Sequence, residues 1–213
     1  MSYHFRNVLF TNSVALLWIA TASAQSPAQP YLALGDSVSF GFNPNVTEGD
    51  LLDYHGYPQF VSASLNLNLA NASCPGETST SFFDVTAPDL GCHEWRMAGA
   101  PLFVTYTSLT ESQEDYAVSF LRANPKTKLV TITIGGNDLG LLQATCEMEF
   151  TSATAVSECE LKGLAAVYAR FAGNLISLYS AIRFKADYQG PIVAANYASP
   201  DYKTPSIPDR SLG

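Results

Sequence analysis

The stretch Tyr31-Leu32-Ala33-Leu34-Gly35-Asp36-Ser37 decides the fold that this sequence predicts. Its first four residues form a short uncharged run, typical of a strand that is buried on both faces. The glycine, the acid and the hydroxyl that follow are typical of a tight turn. Strands of this kind occur in parallel sheets, so the stretch favours an α/β protein.

Strands and helices alternate on the C-terminal side of this first strand. A parallel sheet covered by helices on both faces is the architecture that such alternation predicts. The helix over 161–184 carries a stripe of apolar residues at steps of three and four, which we expect to pack on one face of the sheet. The predicted strands are 66–72, 129–134 and 191–195, the helices are 58–67, 111–123 and 161–184, and 144–158 is predicted to be a disulfide-pinned loop. The stripe comprises Leu161, Leu164, Tyr168, Phe171, Leu175, Leu178 and Ile182.

Composition narrows the class of protein further. The chain has 213 residues, of which 47% are hydrophobic and 14% are charged, and this excludes a disordered, highly charged chain. The formal net charge is −8, so the basic surface that a nucleic-acid partner would require is absent. We therefore expect a single acidic domain over 25–213, monomeric and without a nucleic-acid partner.

The first 24 residues have the pattern of an export signal. Arg6 precedes an apolar segment, and Ala22-Ser23-Ala24 supplies the small residues that a signal peptidase accepts. The apolar segment is too short to span a bilayer, and no other window is apolar enough. The sequence therefore predicts a signal peptide over 1–24 and a secreted or periplasmic mature protein with no integral membrane segment.

The cysteines fit an oxidising compartment. Their even number in an exported chain favours disulfides, and we prefer the local pairing, Cys74 with Cys92 and Cys146 with Cys159, over the two other connectivities. A zinc site is the alternative, but neither a CxxC spacing nor a nearby histidine cluster supports it. Asn45-Val46-Thr47 and Asn71-Ala72-Ser73 are glycosylation sequons, which matter only in a eukaryotic source.

Three turns should meet at one rim of the predicted sheet. Parallel sheets bind ligands beyond the carboxyl ends of their strands, where 35–37, 74–76 and 135–138 follow three predicted strands. Ser37 can present a hydroxyl nucleophile and a backbone N–H there, Gly76 a second N–H and Asn137 a carboxamide donor. Such donors around a nucleophile are what an acyl-transfer site requires to bind an oxyanion.

Each of these residues also has a simpler interpretation. Ser37 or Asn137 could cap the helix that follows it, and Gly76 could be an ordinary turn glycine after Pro75. We expect Asp36 to stabilise the first turn and Asp138 to hold the third, rather than to take part in chemistry. Aromatic residues within 40–60 and 95–107 could line a pocket, but no spacing singles them out.

Three motifs in this order resemble the blocks of the SGNH or GDSL-type hydrolases. They are Gly35-Asp36-Ser37-Val38-Ser39-Phe40-Gly41, Gly76 within 74–78, and Gly135-Gly136-Asn137-Asp138. The resemblance runs from about Tyr31 to Tyr197 and implies a flavodoxin-like three-layer fold and hydrolysis of carboxylic esters, with no metal or other cofactor. It implies Ser37 as the nucleophile and Ser37, Gly76 and Asn137 as the oxyanion donors. The G-x-S-x-G elbow of the α/β-hydrolases does not occur.

The last motif of that family, D-x-x-H, is absent from this sequence. Its histidine is the general base, whereas His4, His55 and His93 all precede the third block and none follows an aspartate by three residues. We interpret the chain as a domain without its C-terminal part, and expect it to be inactive or nearly so, with apolar sheet surface left uncovered. The substrate, an ester of a lipid, an acylated glycan or a small alcohol, is not specified.

Two other functions compete with the hydrolase. The first is a non-catalytic extracellular module that binds esters or acylated glycans at the same rim. The second is a nucleotide-binding flavodoxin-like protein, which is disfavoured because no glycine-rich phosphate loop follows the first strand and acid dominates the charge.

Overall fold

The computed structural model describes residues 27–46 and 50–195. A parallel sheet of four strands in the order β2-β1-β3-β4 forms its centre. The strands are β1 (Gln29–Gly35), β2 (Leu67–Asn71), β3 (Leu129–Thr133) and β4 (Ile192–Ala194), and the α-helices are α1 (Ser37–Phe40), α2 (Tyr57–Leu65), α3 (Cys92–Met97), α4 (Gln113–Ala123), α5 (Gly136–Glu149) and α6 (Ala153–Ser180). The predicted strands and helices are present, apart from shifts at their ends and the corrections below.

The two faces of the sheet are covered by different helices. Leu32 and Ile132 point to the face on which Leu121 of α4 and Leu178 of α6 complete the main apolar core. On the opposite face, the Tyr57 hydroxyl of α2 accepts a hydrogen bond from Thr133 Oγ1 over 3.2 Å. Because strands alternate their side chains, helices on both faces produce the expected three layers. The strand order is the beginning of the flavodoxin-like order, with the switch point between β1 and β3.

The predicted loop over 144–158 is wrong. Helix α5 continues to Glu149, and α6 begins at Ala153 after Ser152, whose hydroxyl accepts from the Ala155 N–H over 3.2 Å. The segment contains neither glycine nor proline to break the helices, and its cysteines join two helices instead of closing a loop. The loop was predicted because the expected disulfide was interpreted as a sign of irregular structure.

The apolar stripe of α6 covers the sheet only in its C-terminal half. Leu178 and Ile182, just beyond the helix end, are buried against the sheet, whereas Leu161 and Tyr168 are 69% and 56% exposed. The N-terminal half packs on α5 instead, where Leu142 contacts Gly163 closely. The expectation that one face of the whole helix lies on the sheet is therefore wrong for its first turns.

Both predicted disulfides, Cys74–Cys92 and Cys146–Cys159, are present. Of the two sequons, Asn71-Ala72-Ser73 is buried, so folded protein does not offer it for glycosylation, and Asn45-Val46-Thr47 extends beyond the described residues. The predicted signal peptide over 1–24 also lies outside them. Within the described ranges, no helix is both long and apolar enough to cross a membrane.

Candidate active site

The nucleophile candidate Ser37 is the first residue of α1, directly beyond β1. Asp36 caps this helix, since its carboxylate accepts from the Val38 N–H over 3.0 Å. The structure thereby gives the capping role to Asp36, as expected, and leaves the half-buried Ser37 at the end of the sheet. The Asp36 N–H donates to the Thr133 carbonyl over 3.0 Å, which ties this turn to the end of β3.

Gly76 lies in the turn after β2, where only glycine fits. Its φ is +86°, and a Cβ there would lie 2.3 Å from the Leu90 carbonyl oxygen. The Leu90 N–H in turn donates to the Gly76 carbonyl over 2.9 Å. Two residues earlier, the Cys74 N–H donates to the Gly35 carbonyl over 3.0 Å, which ties this turn to the end of β1.

Asn137 lies in the first turn of α5, directly beyond β3. The helix is capped by Gly135, so Asn137 is not the cap that its residue type suggested. Its Nδ2 donates to the main-chain carbonyl of Glu77 over 2.8 Å. A carboxamide nitrogen carries two hydrogens, and this bond uses one of them.

The three turns are thus joined pairwise. The Gly35 carbonyl bonds the β1 turn to the β2 turn, and the Asp36 N–H bonds the β1 turn to the end of β3. The Asn137 carboxamide bonds the β3 turn to the β2 turn. The rim predicted from the sequence is therefore one hydrogen-bonded unit at the switch point of the sheet, which is where open α/β sheets bind their ligands.

Two buried residues at this rim, Glu77 and Gln113, were missed by the sequence analysis. Glu77 is 2% exposed, and its carboxylate accepts from Ser81 Oγ and, over 3.0 Å, from Gln113 Nε2. Burial raises the pKa of Glu77 to about 7, opposed by these two hydrogen bonds, with smaller effects of Asp89 and Arg96. Glu77 directly follows Gly76 and could have been noticed, but nothing local in the sequence marks Gln113.

Asp138 holds the third turn, as expected. Its carboxylate accepts from the Ser79 N–H over 2.8 Å and from the Ser79 hydroxyl over 2.6 Å. Asn174 of α6 donates to the same hydroxyl over 2.9 Å. These bonds fix the loop after Gly76 against α5 and α6, and they give each oxygen of this carboxylate, which is 2% exposed, a hydrogen-bond donor.

Neither described histidine is bonded to Ser37. His55 and His93 are exposed, and the His93 main-chain N–H donates to the Asp89 carboxylate over 2.9 Å. Within the described ranges, Cys74, Glu77 and Cys92 are the one group with the spacing of metal ligands. The two sulfurs are bonded to each other, so they are not thiolates that could bind zinc.

Apolar surfaces flank the rim. Phe40 is buried among Tyr54, Trp95 and Phe103, while the 41% exposed Phe42 stacks on Tyr54. Five of the aromatic residues noted in the sequence therefore form one cluster around Phe40 of α1, whereas Tyr106 packs on Tyr116. On the other side, an apolar groove of about 280 Å³ runs from the third turn along α6, lined among others by Ile134, Gly135, Leu139, Phe171, Leu175 and Ala195.

Residues 31–198 match the sequence profile of the GDSL-like lipase/acylhydrolase family. The chain belongs to this family. The match covers all three blocks and the connecting helices, in agreement with the resemblance drawn from the motifs. The name of the family describes lipases and acylhydrolases.

Solved structures with a similar arrangement include three lipolytic enzymes. Phospholipase A1 from Streptomyces albidoflavus NA297 is 24% identical with a TM-score of 0.48, and an extracellular lipase from Streptomyces rimosus is 23% identical with a TM-score of 0.47. In both comparisons the match covers 80% of this chain and 60% of the other. The lipase Lip_vut3 from a goat rumen metagenome is 18% identical with a TM-score of 0.46, over 84% of this chain and 68% of that one. No curated protein matches the sequence.

Proposed function

We propose that the protein cleaves carboxylic esters with Ser37 as the nucleophile, and that the oxyanion is bound by the N–H groups of Ser37 and Gly76 and by the Asn137 carboxamide. The observation that carries this proposal is the pairwise bonding of the three turns at the switch point of the sheet. A nucleophile and donors on turns held rigidly to one another are what preorganised stabilisation of an oxyanion requires.

The proposed reaction has two steps. Ser37 Oγ bonds to the ester carbonyl carbon, its proton passes to a water molecule that acts as the base, and the carbonyl π electrons move to the oxygen that the three donors bind. The bond to the alkoxy oxygen then breaks, the alcohol leaves with a proton, and an acyl-enzyme remains. Water attacks the acyl carbon in the same manner and regenerates Ser37.

We further propose that this polypeptide performs the reaction slowly, because no base is bonded to the nucleophile within residues 27–46 and 50–195. A serine hydroxyl is a weak nucleophile without one, and in triad enzymes the oxyanion donors and binding alone leave a residual acceleration of about 10³–10⁴-fold over water. The two exposed histidines support this assignment, since neither imidazole is hydrogen bonded to Ser37 in the described part of the chain.

Export to an oxidising compartment is part of the same proposal. The two disulfides support it, because such bonds persist outside the cytosol. The N-terminal pattern over 1–24 and the net charge of −8 fit a monomeric secreted protein that does not bind nucleic acid. The substrates we propose are small-molecule, lipid or acylated-glycan esters.

An assay of the full chain with p-nitrophenyl acetate tests the proposal. We expect slow hydrolysis that Ser37→Ala abolishes, because the alanine retains the turn but has no hydroxyl. Hydrolysis at the same rate by Ser37→Ala would refute the nucleophile. Fast hydrolysis that requires Ser37 would instead refute the impairment, and His55→Ala and His93→Ala would then show which histidine serves as the base.

A non-catalytic module that binds esters or acylated glycans is the second candidate, favoured by the exposed positions of both histidines. A fluorophosphonate probe separates the two functions, because it reacts covalently with a serine nucleophile. Equilibrium binding of an acylated glycan by both the wild type and Ser37→Ala, with no labelling of either, would favour the binding module.

A further inference from the structure

The Gln113 carboxamide is hydrogen bonded to both peptide groups that flank Gly35, just before the nucleophile turn. Its Oε1 accepts from the Gly35 N–H, and its Nε2 donates to the Gly35 carbonyl over 3.0 Å. Gln113 is 0% exposed, so no water competes for these bonds. Gly35 lies two residues before Ser37, and the position of its peptide fixes where α1 begins.

The Glu77 carboxyl group is a further hydrogen-bond partner of this carboxamide, whose orientation the Gly35 N–H and carbonyl already set. Glu77 Oε2 accepts the second Nε2 hydrogen of Gln113 over 3.0 Å, while Oε1 is bonded to Ser81 Oγ. An unprotonated carboxyl oxygen only accepts, so the position of Oε2 beside the Gln113 nitrogen agrees with the orientation that Gly35 imposes. With an apolar side chain at position 77, the second Nε2 hydrogen of this buried carboxamide would lose its acceptor.

Glu77 also reaches the third turn through its main chain. Its carbonyl accepts from Asn137 Nδ2 over 2.8 Å, and its N–H donates to the Cys74 carbonyl over 3.2 Å. One residue therefore contacts, by side chain and backbone, the groups that set the positions of Ser37 and Asn137, and it is covalently linked to Gly76.

We infer that Glu77 and Gln113 are positioning residues that set the distance between the Ser37 hydroxyl and the oxyanion donors. This inference rests on the proposed function, because it assigns a task within that reaction. Neither side chain has to touch the substrate. A displacement of about 1 Å between reacting groups can slow a reaction by about 100-fold, and we expect an effect of that size when the bridge is broken.

The test is the rate at which a fluorophosphonate probe labels Ser37 in the full chain, measured over a range of probe concentrations. Glu77→Leu removes the acceptor, and Glu77→Gln restores it with the same shape. Gln113→Glu keeps the size and the contact to the Gly35 N–H but can no longer donate to the Gly35 carbonyl or to Glu77. Leu121→Ala, in the same helix as Gln113 and buried at the opposite end of the sheet, is the control for lost stability.

We expect the maximal labelling rate to fall about 100-fold in Glu77→Leu and Gln113→Glu, with the half-saturating probe concentration unchanged. Glu77→Gln should restore most of the rate, and Leu121→Ala should label like the wild type while unfolding at a lower temperature. If Glu77→Leu does not fold, Gln113→Glu decides the outcome.

The other outcomes each overturn a definite claim. If the wild type is labelled, and Glu77→Leu and Gln113→Glu are labelled just as fast, the inference is overturned but the proposed function is not. A loss of rate in Leu121→Ala equal to that in the bridge variants would show a role in stability only, and would overturn it as well. Failure of the wild type to label at Ser37 would overturn the proposed function, and this inference with it.

Discussion

At the scale of single residues, the rim depends on a glycine that no other residue can replace without strain. Gly76 has a left-handed backbone and lies against the Leu90 carbonyl, so a side chain at this position is opposed by both conformation and space. This close approach brings the chain after β2 beside the ends of β1 and β3. The shape of the site is therefore set by the backbone before any side chain contributes.

We predict that Gly76→Ala destabilises the protein far more than Gly91→Ala. Both glycines have positive φ, at +86° and +117°, so both alanines incur about 1–2 kcal/mol of backbone strain. At Gly76 the Cβ would also lie 2.3 Å from the Leu90 oxygen, whereas no atom lies within 4 Å at Gly91. Urea unfolding of both variants measures the difference, and equal losses of free energy would contradict the steric argument.

Glu77 predicts a specific dependence of stability on pH. Its pKa is raised from 4.5 to about 7 in the folded protein, so between these values the folded state retains a proton that the unfolded state has released. The free energy of unfolding should therefore fall as the pH rises through this window, by on the order of 3 kcal/mol from this group, and level off above pH 7.

Glu77→Gln should remove this decline, because glutamine has the shape of the neutral acid and does not titrate. The measurement is urea unfolding of the wild type and the variant at pH 5 and pH 8, with the disulfides intact. All other titrating groups are common to both proteins, so they cancel in the comparison. The same decline in both would show that Glu77 is not the group responsible.

The site residues that the sequence analysis identified lie in local turns, whereas Gln113, which it missed, reaches the site through long-range contacts. Ser37, Gly76 and Asn137 lie in turns next to predicted strands, so local pattern and the strand order bring them to one rim. Gln113 contacts Gly35 and Glu77 from 78 and 36 residues away in the sequence. No local pattern encodes such a contact, since it depends on how α4 docks on the sheet.

At the scale of elements, the two disulfides serve different parts of the molecule. Cys146–Cys159 joins the end of α5 to the start of α6, far along both helices from the rim. Cys74–Cys92 closes the loop that contains Gly76 and Glu77. Cys146–Cys159 should therefore contribute to stability alone. Cys74–Cys92 should contribute to stability and also hold the residues of the candidate active site in place.

We predict that Cys146→Ser with Cys159→Ser lowers the free energy of unfolding by about 3 kcal/mol, the loop-closure value for a loop of this length. Fluorophosphonate labelling of Ser37 in the folded variant should be unchanged. The matched control is Cys74→Ser with Cys92→Ser, which should lose a similar free energy and also label more slowly. If both pairs of substitutions change the rate of Ser37 labelling equally, the claim that only Cys74–Cys92 affects the site is contradicted.

The helices and strands were predictable where periodicity and helix boundaries agree. Helix α4 begins at Gln113 because Ser112 and Asp115 form a reciprocal cap, close to the predicted start. The start of α6 was missed because the apolar stripe begins only at Leu161, and the residues before it were interpreted as a disulfide-pinned loop. A pattern records which face is apolar but not which neighbour covers it.

At the scale of the whole molecule, β4 forms one edge of the described sheet. In the described ranges β4 is paired on one side, by β3, and Val193 is 49% exposed. The apolar groove along α6 lies beside it. Unpaired strand edges and apolar surface promote association, which the net charge of −8 opposes.

We predict that Val193→Lys reduces concentration-dependent light scattering, because a lysine on an edge strand disfavours edge-to-edge pairing. Ala172→Lys, on the exposed side of α6, is the control with the same change in net charge. By lowering the negative charge alone, this control should leave scattering unchanged or raise it slightly. Equal reductions in the two variants would show that the effect is not specific to the β4 edge.

The central claim is that Ser37 is a nucleophile facing the donors of Gly76 and Asn137. The most direct measurement is mass spectrometry of the full chain after reaction with a fluorophosphonate probe, in which Ser37 Oγ bonds to phosphorus and fluoride leaves. We predict that a single phosphonyl adduct forms slowly on the peptide that contains Ser37, because no base is bonded to Ser37 in the described ranges, and that Ser37→Ala and unfolded protein form none. No adduct, or an adduct on another residue that persists in Ser37→Ala, would contradict the account.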